Sequence, residues 1–374
     1  MTRSRRARAA ALFFSASLSM SATLSPDQIR DDQWHLRFLN VQEAHKHSVG
    51  DDIVVAVIDT GVDQHPDLAR NLLRGTDTLS GSGDGRIDTD SHGTGMAGLI
   101  AAHGTTSGMG ALGIAPEAAI LPIRSEGPAG QADSDLLAAG IEWAIERGAA
   151  VINASSTGGP SPPLRHAIDA ANAADVVVVA AAGNRPTDLG VGFPAAYDGV
   201  LAVGAVDRQG NHAEVSVTGE QLDIVAPGVD IYSTSYKGLY RKGTGTSDAA
   251  AIVAGAVALV RSKYPDLSAE EVVHRLTATA TDKGPPGRDE QYGYGVLNLV
   301  AALTADVPPL GSVAPTPNST TADAAPPGEP GRSNTGGILA ALLAAAAVGV
   351  AAVFFGMRGR RRPAADARSP KPPG

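Results

Sequence analysis

The chain has 374 residues, 43% of them hydrophobic and 18% charged, a balance typical of a packed globular protein and not of a disordered one. It contains no cysteine, which excludes disulfide bonds, a thiolate nucleophile and cysteine-ligated zinc. The net charge is −9, but the basic residues cluster at both ends, and the middle retains 20 basic against 38 acidic residues, about −18. Such a middle repels nucleic-acid phosphates, so we expect no nucleic acid among the partners.

The N-terminus has the features of a secretory signal peptide over residues 1–24. Four arginines within the first eight residues precede the uncharged stretch AALFFSASLSMSATLSP, whose small residues suit cleavage between about residues 19 and 25. An uncleaved membrane anchor is the alternative reading. The four serines between residues 15 and 21 make this stretch a poor membrane span, which favours the signal peptide.

Residues 50–305 alternate between short apolar runs and helical segments. The strand-like runs are DIVVAVID (52–59), AAILPIR (118–124), AAVINAS (149–155) and DVVVVAAA (175–182). Helical patterns follow His92 and cover residues 134–148 and 162–174, and Ser268 with Glu271 forms the capping-box pattern of a further helix. Strands separated by helices predict an α/β domain with a doubly wound, mostly parallel sheet that has helices on both faces.

The C-terminal region predicts a tether and a membrane anchor. Residues 306–337 are rich in Pro, Ser, Thr and Gly and should form an extended linker. Residues 338–357 contain no charge and are about long enough to cross a bilayer, and the basic tail at 358–374 should remain in the cytoplasm. A buried alanine-rich helix is the alternative to a span at 338–357.

Two residues of the α/β domain are candidates for a carboxylate and imidazole pair. Asp59 ends the first apolar run, and the carboxyl ends of parallel strands are where function gathers in such sheets. His92 precedes a glycine-rich helical segment that would hold its imidazole rigidly, as a general base requires. Taken singly, either residue could be an ordinary loop or helix-capping residue.

A nucleophile and an oxyanion donor complete the candidate site. Ser247 opens a strongly apolar helical run, where its backbone N–H and the helix dipole favour a negative charge. Asn184 follows the strand at 175–182 in a turn, from which its side-chain amide could donate to a tetrahedral intermediate. A helix-capping serine and a turn asparagine are the alternatives when each motif stands alone.

The blocks VAVIDTGVDQHPDL, SHGTGMAG, VVAAAGN and GTGTSDAAA resemble the Asp, His, Asn and Ser blocks of the subtilisin-like serine proteases, in that family's order. The resemblance covers about residues 30–300 and implies a serine endopeptidase with the triad Asp59, His92 and Ser247, supported by Asn184. Within the family the chain is most similar to the mycosins, membrane-anchored proteases that accompany type VII secretion systems. The similarity rests on DDQWHLRFLNVQEAH, GALGIAPEAAILPIR, QYGYGVLNLVAAL and the tether with its span.

The resemblance implies a single-pass protein of the cell membrane with an extracellular catalytic domain and protein or peptide substrates. Too few residues precede the first strand for a folded prodomain, so we expect residues 25–49 to wrap the domain as an N-terminal arm. Two alternatives stay open: a mainly structural component of a secretion machine, and a broad-specificity surface protease.

The sequence also departs from the usual subtilisin pattern. Gly95 stands where many subtilisins have a second histidine, and Asp248 and Ala251 replace the usual Met and Pro around the nucleophile. The acid beside the nucleophile predicts lower activity on generic substrates. We expect no cofactor. Residues 80–90 contain acids and glycines and indicate a solvated turn, with a structural calcium site as the alternative.

Overall fold

A computed structural model of the chain describes residues 26–105, 108–127 and 133–310, and in these ranges the centre of the molecule is a seven-stranded sheet. The strands are β1 (Val54–Asp59), β2 (Thr76–Asp77), β3 (Ala119–Arg124), β4 (Val151–Ala154), β5 (Val177–Ala181), β6 (Val200–Val206) and β7 (Ile224–Pro227). Their spatial order is β2-β3-β1-β4-β5-β6-β7, and each neighbouring pair is parallel. The predicted parallel sheet is therefore confirmed.

The helices pack on both faces of this sheet, as predicted. They are α1 (Pro26–Asp32), α2 (Trp34–Phe38), α3 (Val41–Ala44), α4 (His92–Ala101), α5 (Ser134–Glu146), α6 (Pro162–Ala173), α7 (Thr246–Lys263), α8 (Ala269–Ala278) and α9 (Leu299–Thr304). A separate antiparallel hairpin joins β8 (Ile231–Thr234) to β9 (Tyr240–Gly243). The predicted capping box at α8 is formed by Ser268 and Glu271.

Side-chain alternation along β1 assigns the two faces. Val55 and Val57 belong to the core that contains α4 and α7, whereas Ala56 and Ile58 belong to the core under α5 and α6. Helix α7 is buried all round, from Thr246 to Arg261, as expected of a helix whose apolar residues do not form a single stripe. This central position holds the start of α7 at a defined place near the sheet.

The N-terminal segment packs against the domain through its own buried side chains. Trp34 is buried, and its indole Nε1 lies 3.1 Å from the carbonyl oxygen of Val229. Gln33 exchanges two hydrogen bonds with the backbone of Leu112, at 3.0 and 2.8 Å. Ile29 and Trp34 belong to the same core as α4 and α7, so this segment is an integral layer of the domain.

The order of the strands determines where a site can form. The strand order reverses at β1, because β2 and β3 lie on one side of it and β4 lies on the other. In an open parallel sheet, the crevice at such a reversal of strand order lies beyond the carboxyl ends of the strands. Asp59 is the last residue of β1 and therefore lies at this crevice.

Several predicted segments fall outside the described residues: the signal peptide at 1–24, the linker beyond residue 310, the span at 338–357 and the basic tail at 358–374. Within the described ranges, no helix is both long and apolar enough to cross a bilayer. The proposed signal, anchor and tail therefore stay predictions.

Candidate active site

Asp59 and His92 form a hydrogen-bonded pair at the carboxyl end of β1. Asp59 is fully buried, and His92 is the first residue of α4. Nδ1 of His92 lies 2.8 Å from Oδ1 and 2.9 Å from Oδ2 of Asp59. Burial lowers the pKa of His92, but the charge and hydrogen bond of Asp59 outweigh burial and raise it above its ordinary value. The pair orients the ring and leaves Nε2 available to accept a proton.

A second layer of hydrogen bonds holds this pair in place. The Thr60 N–H donates to Oδ1 of Asp59 at 2.7 Å, and the Thr60 hydroxyl donates to Asp88 at 2.9 Å. The same hydroxyl accepts the N–H of Gly93 at 3.0 Å. Oδ2 of Asp88 accepts the N–H and the hydroxyl of Thr94, at 2.9 and 2.6 Å. Asp88 thereby links the end of β1 to the first turn of α4.

Ser247 lies in the first turn of α7 and is buried. Its hydroxyl donates to the carbonyl oxygen of Ser155, just after β4, at 2.8 Å. Within the described residues, no hydrogen bond joins this hydroxyl to His92. The helix begins at Thr246 with Gly245 as its cap, so the capping-serine alternative is wrong.

Asn184 is held against the start of α7 by its side-chain oxygen. Oδ1 accepts the N–H of Thr246 at 2.9 Å and its hydroxyl at 3.2 Å, and the Asn184 N–H donates to Asp188 at 2.6 Å. This orientation leaves the side-chain nitrogen of Asn184, Nδ2, as a donor without a protein acceptor in the described part of the chain. The backbone N–H of Ser247 lies in the first turn of α7, where N–H groups have no carbonyl acceptor within the helix. Two donors are therefore available near the serine.

Glu126 is a buried acid that the sequence analysis did not single out. It follows Ser125, whose N–H donates to the carbonyl oxygen of Asp59 at 2.9 Å, and only 3% of its surface is exposed. Among the described residues, its Oε1 finds no hydrogen-bond partner. Burial, and then the charge of Asp59, raise the pKa of Glu126 to about 7. Glu126 therefore gains a proton near neutral pH.

We predict that Glu126→Gln makes the protein more resistant to alkaline pH. The folded state binds this proton more tightly than the unfolded chain, so Glu126 lowers stability progressively as pH rises from about 4.5 through about 7. We compare the free energy of unfolding of the variant with that of the parent at each pH. This difference should favour the variant by on the order of 2–3 kcal/mol more at pH 8 than at pH 4. Urea unfolding at both pH values measures this gain. Glu142→Gln on the exposed side of α5 is the control, and equal effects at both pH values for Glu126→Gln would contradict the prediction.

The acidic segment at residues 80–90 is engaged in protein contacts. Asp84 pairs with Arg86 at 2.7 Å, and Asp88 binds Thr60 and Thr94 as described. Among the residues that the structure describes, no three His, Asp or Glu side chains form a cluster that could hold a metal ion. The expectation of no cofactor stays a prediction.

Five residues of this neighbourhood were not predicted from the sequence: Thr60, Asp88, Glu126, Ser155 and Arg241. Thr60 and Asp88 lie within four residues of Asp59 or His92, so a search for polar side chains flanking the candidates would have included them. Ser155 acts through its backbone carbonyl, which has no signature in a sequence. Arg241 lies close enough to His92 to act on its charge, and it is brought there by the β8–β9 hairpin, which was not predicted.

The fold and site define a class of protein: an α/β protein with a carboxylate and imidazole pair at the carboxyl end of its central strand, beside a serine at a helix start. The Subtilase family model matches residues 50–295, and the chain belongs to this family of serine proteases. Subtilisin DY of Bacillus licheniformis is 42% identical over 259 residues, which cover 68% of this chain and 91% of that protein.

Solved structures extend the comparison to the mycosins. The chain is similar to MycP1 with its N-terminal propeptide removed, with a TM-score of 0.68 and 33% identity over 74% of this chain and 98% of that one. It is also similar to the MycP3 protease from the type VII (ESX-3) secretion system, with a TM-score of 0.65 and 36% identity over 73% of this chain and 88% of that one. The predicted resemblance to subtilisins and mycosins is confirmed.

Proposed function

We propose that the chain is a serine endopeptidase in which Asp59, His92, Ser247 and Asn184 catalyse peptide-bond hydrolysis. The observation that supports this most is the pair of hydrogen bonds between His92 Nδ1 and Asp59, in a member of the subtilase family that carries Ser247 in the first turn of α7. This arrangement combines an oriented base with a nucleophile near two unoccupied N–H donors.

Acylation begins when the Ser247 side chain turns from the Ser155 carbonyl toward Nε2 of His92. His92 accepts the hydroxyl proton as Ser247 Oγ bonds to the substrate carbonyl carbon. Asp59 stabilises the imidazolium that forms, as its raising effect on the pKa of His92 indicates. His92 then donates the proton to the leaving amine. Deacylation follows the same route, with water in place of the Ser247 hydroxyl.

The oxyanion is stabilised by Asn184 and the Ser247 N–H. The side-chain oxygen of Asn184 accepts two hydrogen bonds from Thr246, so the side-chain nitrogen is already oriented before substrate binds. Preorganised donors of this kind act on the charge that develops in the transition state and require little rearrangement.

We predict that Asn184→Ala lowers kcat by about 10²–10³-fold with little change in KM, because the lost donor acts mainly in the transition state. Steady-state hydrolysis of a chromogenic peptide measures both constants. Asn298→Ala removes the cap of α9, far along the chain, and is the control, since it should lower stability but not kcat. A rise in KM alone would contradict the assignment of Asn184 to the oxyanion.

Cleavage of proteins tests the endopeptidase activity itself. The purified chain is incubated with secreted proteins of a strain that encodes it, and new termini are mapped by mass spectrometry. We expect internal cuts that are absent with Ser247→Ala. Cuts that persist with Ser247→Ala would contradict the proposal.

We further propose that the catalytic domain is extracellular and anchored by residues 338–357. The sequence supports this by an uncharged run, a proline-rich tether before it and a basic cluster after it. Removal of residues 338–374 should release the domain into the medium, whereas the full chain should sediment with membranes. Release of the full chain would contradict the anchor.

Association with type VII secretion is proposed from the similarity to MycP3, which is described as a protease of such a system. Two roles are compatible with that similarity: cleavage of a secreted protein, and a structural role in the secretion machine. Secretion by strains that carry Ser247→Ala or a deletion of the whole chain separates them. Loss of secretion in both strains supports a proteolytic role, and loss only on deletion supports a structural one.

A further inference from the structure

A buried ion pair lies directly beside the proposed nucleophile. Asp248 follows Ser247 and is 2% exposed, and its Oδ1 lies 3.3 Å from Nη1 of Arg241 on β9. This contact does not have the geometry of a hydrogen bond, and neither Asp248 Oδ1 nor Arg241 Nη1 has a hydrogen-bond partner in the part of the chain that the structure describes. Their contact is therefore electrostatic and links the hairpin to the first turn of α7.

Two glycines make room for this pair. A Cβ atom on Gly95 would lie 2.5 Å from Nη1 and 2.7 Å from Cδ of Arg241. A Cβ atom on Gly243 would overlap Nη2 of Arg241 and lie 2.7 Å from Oδ2 of Asp248. The Arg241 side chain thus packs against the first turn of α4, which begins at His92, and its guanidinium contacts Asp248. The departures at Gly95 and Asp248 are two parts of one arrangement.

Several elements bring titratable and charged groups to the crevice that contains His92 or to the residues that line it. They are Asp59 on β1, Asp88 and Asp90 before α4, Glu126 after β3, Arg241 on β9 and Asp248 on α7. Arg241 lowers the pKa of His92 and Asp248 raises it, so the two effects oppose each other. Burial raises the pKa of Asp248, and the nearby Arg241 favours its ionised form.

We infer that Arg241 and Asp248 are positioning residues for the proposed triad. As a pair of opposite charges, they connect the first turn of α4 to the first turn of α7. Their charges also act in opposite directions on the protonation of His92. This inference rests on the proposed function, because it concerns the acid–base chemistry of His92. It assigns one role to two residues that a conventional subtilisin pattern does not predict.

The pH dependence of kcat/KM tests the pair, since its acid limb reports the protonation of His92 in the free enzyme. Asp248→Asn leaves an unopposed guanidinium near His92 and should move the midpoint of this limb down by about 0.5–1 pH unit. Adding Arg241→Gln removes that charge and should return the midpoint to within about 0.2 unit of the parent. Asp175→Asn is the control, because it breaks the ion pair of Arg261 on the same helix without a charge change near His92.

The outcomes separate the inference from the proposed function. A parent enzyme that hydrolyses no peptide would overturn the proposed function. An active parent with an unmoved midpoint in Asp248→Asn, or a double variant that stays shifted, would overturn the pairing alone. If Asp248→Asn does not fold, recovery of folding in the double variant supports the pair, and failure to recover overturns it.

Discussion

Replacement of Ser247 by alanine should lower kcat by about 10⁶-fold, the size of loss that removal of the triad serine causes in subtilisin. Without the hydroxyl, no acyl-enzyme can form, and only the oxyanion donors and substrate binding remain to accelerate hydrolysis. Within the described residues, the Ser247 hydroxyl donates one hydrogen bond, to the Ser155 carbonyl, so loss of this hydroxyl should change stability little. Peptide hydrolysis and thermal unfolding measured on the same preparation separate these two effects.

Ser262→Ala is the matched control, because Ser262 lies near the other end of α7 and its hydroxyl donates to Asp51 at 2.9 Å. This variant loses a comparable hydrogen bond and should retain the parent kcat. If Ser247→Ala kept more than about 1% of the parent kcat, Ser247 would not be the nucleophile, and the catalytic assignment would have to move to another residue.

Asp59→Asn should lower kcat by about 10⁴-fold while the fold is retained. An asparagine amide at this position donates to Nδ1 of His92, where the carboxylate now accepts. The proton then resides on Nε2, and the ring cannot accept the proton of Ser247. The loss should appear in kcat and in kcat/KM together, since the carboxylate acts on the developing imidazolium and not on bound substrate.

Asp67→Asn provides the control for this change. Asp67 is also fully buried, and its Oδ2 accepts the N–H of Ala111 at 2.7 Å and the hydroxyl of Tyr240 at 3.0 Å. We expect this variant to lose stability but to keep the kcat of its folded fraction. Equal losses of kcat in the two variants would show that a buried charge, and not the orientation of His92, accounts for the effect.

The strands and helices of the domain were predictable because their residue types determine local structure. The run at 52–59 contains β1, and the run at 175–182 contains β5, since Val and Ile favour a strand that is buried on both faces. The order of the strands was not predictable in this way, because β1 lies between β3 and β4 through contacts distant in the sequence. The β8–β9 hairpin was missed because its short strands lack a clear apolar alternation.

Part of the candidate site was predictable, because its reactive side chains lie where strands end and helices begin. Asp59 and His92 come into hydrogen-bond contact, as the resemblance to subtilisin-like proteases implied. The contact of the Ser247 hydroxyl with Ser155 could not be foreseen, because a backbone carbonyl is present at every residue. The partner of Asp248 could not be foreseen either, since Arg241 reaches it only through the folded hairpin and the space at Gly95.

The departures from the usual subtilisin pattern therefore cluster near the proposed triad. Asp248 and Glu126 are both buried acids with raised pKa values, and both lie close enough to His92 to interact with its charge. The charge and hydrogen bond of Asp59 nevertheless favour the imidazolium form of His92 at neutral pH. We expect peptide hydrolysis to increase with pH through a midpoint above the ordinary histidine value of about 6.5.

Labelling with a fluorophosphonate probe tests the central claim most directly, because the probe reacts with a serine only when a neighbouring base activates it. The parent chain should carry one probe per molecule, and mass spectrometry of its peptides should place the probe on Ser247. Ser247→Ala should remain unlabelled, and Asp59→Asn should label far more slowly than the parent. A folded parent chain that takes no label, or a label on a serine other than Ser247, would contradict the assignment.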